Sequence, residues 1–81
     1  MTRRDAMQII LKEDLRNYNL NEERSNKENE VTIKEYNDKW IVYATDERAS
    51  KIAGSEVVFE VESDAWFNFI KRLRTLKIFR E

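Results

Sequence analysis

The sequence predicts an α+β domain of order αβββα, a three-stranded antiparallel sheet with two helices packed on one face. Three observations predict it. Apolar residues recur at helical spacing near both ends of the chain. They alternate with polar residues from position 31 onward, and a two-residue turn signal, Asn37-Asp38, splits that alternating stretch. Eighty-one residues make a single domain, 1–81.

The first helix is expected over residues 2–18. Thr2 caps it, with Asp5 three residues on in a variant of the capping box. Ala6, Ile9, Ile10 and Leu15 form its apolar stripe, widened by Met7 and Leu11. Residues 17–29 are rich in Asn, Ser and charge. Such side chains bond their own backbone in place of helix or sheet, so this stretch reads as a loop anchored by Leu20.

A tight hairpin at Asn37-Asp38 pairs Ile33 with Val42 and Glu35 with Trp40. Val31, Ile33, Trp40, Val42 and Ala44 then face the core. Thr32, Lys34, Tyr36, Ile41 and Tyr43 face the other way. A three-residue loop would instead exchange Trp40 for Tyr43, and the sequence leaves that register open. The third strand is expected over residues 56–62, with Val57, Phe59 and Val61 inward. Residues 45–55 form either an irregular loop or a long ribbon, with Gly54, the one glycine, supplying a positive φ or a bulge.

Ser63 is the expected cap of the last helix, with Asp64 at its positive end. Trp66, Phe69, Ile70, Leu73 and Leu76 make its stripe. At that spacing Trp66, Phe67 and Phe69 read as core packing rather than a ligand cage. The outer face of the sheet is left open or partly covered by the Asn-rich loop.

Hydrophobic residues are 41% of the chain, enough for a core. Cysteine and histidine are absent, which removes disulfides, thiol nucleophiles, the usual zinc ligands and the commonest general base. The carboxylates show no calcium-loop spacing. No enzyme, no metal and no cofactor is therefore expected. Absence of cysteine fits a reducing cytosol. No run has the length of a membrane span, and charges interrupt the apolar positions after Arg3 and Arg4, so neither a membrane partner nor a signal peptide is expected.

Charge is unevenly spread. Residues 22–62 sum to −5, and residues 63–81 to +3. An acidic middle suits a partner with a basic groove. The junction in Trp40-Ile41-Val42-Tyr43-Ala44-Thr45-Asp46-Glu47-Arg48, apolar and then abruptly charged, is the place where a scaffold can present something specific. Ile41 and Tyr43, beside Lys34 and Glu60, are candidates for the centre of an interface.

The run from Lys39 to Ser50, then Val58-Phe59-Glu60, then Ala65 and Phe69-Ile70-Lys71-Arg72-Leu73, resembles the immunity protein 59 family of bacterial polymorphic toxin systems. The likeness spans residues 31–76. It implies a cytoplasmic antidote that binds the C-terminal domain of a secreted toxin and neutralises it by occlusion, the toxin commonly being a nuclease with a basic cleft. On that reading Asp46 and Glu47 pair with toxin Lys or Arg, and Arg48 takes a carboxylate in bidentate fashion or pairs locally with Asp46 or Glu47. Tyr43 and Ile41 make the dry centre, with Glu60 beside them. The expected partner is thus a toxin protein and not a nucleic acid. Two other classes stay open: a nucleic-acid regulator acting through the basic last helix, and a homodimer joined by strand edges.

Overall fold

The computed structural model describes residues 1–80. Its elements are α1 (Arg3–Glu13), β1 (Tyr18–Leu20), β2 (Val31–Tyr36), β3 (Lys39–Ala44), β4 (Val57–Phe59) and α2 (Glu62–Arg80). The strands lie in the order β1-β2-β3-β4. β1 runs parallel to β2, and the other pairs are antiparallel. The sheet is therefore four-stranded and mixed, not three-stranded and antiparallel.

The capping box of α1 forms as expected. The Asp5 N–H donates to Thr2 Oγ1, and the Thr2 N–H donates to the Asp5 carboxylate. The helix stops at Glu13, five residues short of the expected end. Asp14 takes a left-handed φ of 53°, and its N–H closes back on the Ile10 carbonyl. The chain then extends into β1. This strand escaped the periodicity reading because it has three residues and a polar centre, Asn19, and because its partner β2 follows only after the loop.

Asn37 and Asp38 both have positive φ, 51° and 62°, the requirement of a type I′ turn. The resulting register is Ile33 with Val42 and Glu35 with Trp40, so the two-residue turn prevails over the three-residue alternative. Gly54 has φ 79°, as a turn there requires. β4 is shorter than expected. Val57 and Phe59 pair with Val42 and Trp40, but the chain bends at Glu60, and Val61 ends up exposed. Nor does Ser63 cap α2, which begins one residue earlier at Glu62. The Ser63 hydroxyl instead accepts a hydrogen bond from the N-terminal ammonium of Met1 at 2.8 Å.

The core joins Ala6 and Ile10 of α1, Val31, Ile33 and Val42 of the sheet, and Trp66, Phe69, Ile70 and Leu73 of α2. Trp66 is wholly buried. Its ring stands 5.6 Å from Trp40 and 5.8 Å from Phe69, distances at which aromatic quadrupoles attract. Phe67, on the far side of the helix, is exposed. No helix among the described residues is long and apolar enough to cross a membrane.

Candidate protein-binding surface

The outer face of the sheet carries Thr32, Lys34, Tyr36, Ile41, Tyr43 and Val58, because alternate residues of a strand point to opposite sides. The chain between β1 and β2 folds back over part of this face and is fastened there by polar groups. Arg24 is the main fastener. Its guanidinium donates to both Glu30 carboxylate oxygens, at 3.1 and 2.8 Å, and to Glu22 at 2.9 Å. Glu30 is 2% exposed. Burial alone would raise its pKa, but the Arg24 hydrogen bonds, the Lys27 N–H and the charges of both residues outweigh it and hold the carboxyl below its usual range. The same bonds raise the pKa of Arg24.

Thr45 supplies a second fastening. Its hydroxyl donates to the Lys27 carbonyl at 2.6 Å and accepts from the Glu30 N–H at 3.0 Å. Asn19, fully buried, provides a third: its side-chain oxygen accepts from the Glu22 N–H. The fourth is Tyr43, whose hydroxyl donates to Asn26 Oδ1 at 2.7 Å.

Tyr43 is consequently only 5% exposed, with Lys51 Nζ 4.6 Å above its ring. Ile41 stays half-buried. These two residues lie in a cleft of about 340 Å³, rimmed by Glu22, Glu23, Glu35 and Glu56 against Lys34 and Lys51. One of the two lysines is already spent on an ion pair, Lys51 with Glu56 at 2.7 Å. The carboxylates of the loop at this rim were not visible as site residues in the sequence. The Glu22-Glu23 pair was legible as charge, but its position depends on the Arg24 fastening, which no periodicity signals.

The segment after β3 forms a compact bend. Thr45 bridges to Lys51, and the Asp46 N–H donates to the Ser50 carbonyl. Asp46 Oδ1 accepts from the N–H groups of Arg48 and Ser50, at 2.8 and 3.0 Å, so this side chain shapes the bend. Glu47 and Arg48 are exposed at the tip. Neither makes a side-chain hydrogen bond or ion pair among the described residues, so the local pairing of Arg48 with a neighbouring carboxylate does not form. With Asn17, Asn26, Lys27 and Glu28 they surround a shallow depression. Asn26 borders it and also receives the Tyr43 hydroxyl, which joins the depression to the Tyr43 side of the cleft.

Glu60 lies apart from this group. It follows β4 at the hairpin end of the sheet, roughly 20 Å along the strands from the bend at 46–48. Of the six residues singled out from the sequence, Ile41 and Tyr43 share the cleft, Glu47 and Arg48 share the depression, Asp46 braces the bend, and Glu60 stands at the open edge.

The basic helix α2 has most of its cations engaged within the fold. Arg74 grips Glu13 in bidentate fashion at 2.9 and 2.6 Å. Lys77 donates to the Glu13 carbonyl, Arg80 to the Asp14 carbonyl and Arg72 to the Ser55 carbonyl. The bonds from Arg74, Lys77 and Arg80 close the carbonyl end of α1 against α2. Lys71 is the one α2 cation without such a bond among the described residues.

No curated protein and no solved structure matches the chain. The family model described as immunity protein 59 matches residues 4–80, nearly the whole length, and the chain therefore belongs to that family. Membership implies an immunity protein acting against a toxin.

Proposed function

We propose that this immunity protein 59 family member works in the cytoplasm as a stoichiometric antidote, laying its outer sheet face over a cognate toxin's C-terminal domain and occluding it. The toxin domain is proposed to be a nuclease with a basic cleft. The observation that carries this reading is the cleft itself. An apolar and aromatic floor, Ile41 with Tyr43, is ringed by four glutamates and two lysines; Glu56 is paired with Lys51 and Glu22 with Arg24, which leaves Glu23 and Glu35 against Lys34. That arrangement suits a cationic partner, steering its approach and discouraging acidic competitors.

Roles follow from placement. Glu23 at the rim and Glu47 at the bend face outward without partners among the described residues, and would meet toxin Lys or Arg. Arg48, also unengaged, would take a toxin carboxylate in bidentate fashion. Asp46 would act indirectly, by holding the bend that presents its two neighbours. The nucleic-acid reading has less support, because phosphate binding needs free cations and most of those on α2 are spent on α1 and Ser55.

The test is co-expression with the C-terminal domain of a large secreted protein encoded immediately upstream. The wild-type chain should restore growth. Glu23→Lys with Glu47→Lys should leave the melting temperature unchanged and weaken the complex by about 2–5 kcal/mol where the pairs are desolvated. Undiminished protection and affinity in that double variant would remove this surface from consideration.

A further inference from the structure

The two edges of the sheet are finished differently. β1 is partly closed, with Asn19 and Leu20 buried and the Tyr18 carbonyl taken by Arg24. β4 ends the strand order with nothing paired beyond it, and its Val58 side chain is 52% exposed. The direction of its free backbone groups can be derived. In a two-residue hairpin the flanking pair, Tyr36 with Lys39, is hydrogen-bonded to each other, and hydrogen-bonded pairs then recur at every second residue. Ile41 and Tyr43 thus point their main-chain groups toward β2, while Trp40, Val42 and Ala44 point theirs toward β4. The Ile52 N–H donating to the Ala44 carbonyl agrees with that phase. Phe59 and Val57 accordingly bond Trp40 and Val42, and the N–H and C=O of Val58 are directed away from the sheet.

Side chains at this edge specify what can pair with it. Glu56 and Glu60 flank Val58 two residues to either side. Glu60 has no hydrogen-bond or ion-pair partner among the described residues. A second copy of this chain pairing antiparallel about Val58 would bring Glu56 near Glu60 twice, just past the ends of the three-residue strand, and like charges that close destabilise a pairing. Self-pairing is therefore disfavoured at this edge. A strand with an uncharged β-branched residue opposite Val58 and a cation opposite each glutamate would complete the ladder, neutralise Glu60 and compete with Lys51 for Glu56. Such a strand would also extend the Ile41 side of the cleft, since Val58 is the cross-strand neighbour of Ile41.

We infer that the open edge of β4 receives one extended segment of the partner, basic at positions two before and two after a β-branched residue, by strand addition. The inference rests on the antidote reading and supplies a second, main-chain component to that contact.

The probe is a blocked peptide containing Lys-Val-Thr-Val-Lys, titrated into the full chain and followed by backbone amide NMR. The Val58 N–H should shift and gain protection from hydrogen exchange. Val58→Pro removes that donor at an edge position where proline is tolerated, and should weaken the peptide at least tenfold. Should that variant not fold, Glu56→Lys with Glu60→Lys serves instead: it should lose the basic peptide and gain its Glu-Val-Thr-Val-Glu counterpart. The proposal is overturned if shifts map away from β4, if neither variant changes binding, or if sedimentation finds a dimer that Val58→Pro dissolves. Failure here with toxin neutralisation intact rejects the edge alone. Failure of neutralisation with peptide binding intact rejects the antidote reading.

Discussion

On the helical side of the sheet, Trp66, Phe69, Ile70 and Leu73 of α2 press on Ile33 and Val42, and Ala6 and Ile10 of α1 complete the same cluster. On the opposite side Ile41, Tyr43 and Val58 supply less hydrocarbon. Closure there comes from Arg24 on Glu30, Thr45 on the Lys27 carbonyl, Asn19 on the Glu22 amide and Tyr43 on Asn26. The first side is held by apolar area, which is non-directional and tolerant of small displacement. The second is held by hydrogen bonds between specific atoms. Asn19, Glu30, Tyr43 and Thr45 are buried, so each is left unsatisfied when its partner is removed. A small domain can thus commit one face of its sheet to stability and leave the other polar enough to present charge to a partner.

The contrast can be broken most forcefully from the helical side. Trp66→Ala should cost about 3–5 kcal/mol, read from urea denaturation, as a large truncation in a close-packed site. A wild-type midpoint would mean that the apolar side is not the main support. Arg24→Ala should lower the same midpoint by less, by stranding the Glu30 carboxylate.

A pH dependence goes with that ion pair. Glu30 has its folded pKa below the ordinary 4.5, so the unfolded chain takes up its proton first as pH falls. The stability it contributes is present above about pH 4.5 and lost as pH drops through the lower folded value. Glu30→Gln should flatten that part of a melting-temperature profile between pH 6 and 3, sampled at roughly half-unit steps. An unchanged acid slope would show that the carboxylates of Asp5, Glu13 and Asp14, also held low by their partners, account for all of it. The smallest effect should come from Tyr43→Phe. It removes one hydroxyl from Asn26 and should cost about 0.5–1.5 kcal/mol while loosening amide exchange in residues 22–30.

What could be read from the sequence divides along the same line. The α2 stripe and the α1 cap were legible because helical spacing and Thr2-Asp5 are local signals. The hairpin register was legible because a two-residue turn dictates pairing, and the same alternation set Ile41 and Tyr43 on the outer face. The extension of the third strand to Val61 was misread because the apolar alternation continues through Glu60 while the backbone does not. β1 and the loop fastening were illegible: three residues of strand carry little pattern, and Arg24 with Glu30 looks like any pair of surface charges. Burial of Tyr43 follows from that loop, and partial cover of the outer face by it is one of the two alternatives that the sequence left open. The resemblance noticed over residues 31–76 matches a family that extends over residues 4–80, so α1, which added little to the likeness, belongs to the same unit.

Among the described residues the chain turns at seven non-glycine positions of positive φ: Asp14, Asn17, Asn21, Asn29, Asn37, Asp38 and Ala49. Six of these are Asn or Asp, residues that tolerate the left-handed region while keeping a side chain. Where glycine would leave a bare corner, this protein displays an amide or a carboxylate at nearly every reversal of direction. Each of these corners therefore ties the path of the backbone to a short polar side chain, and a β-branched residue there would strain the turn.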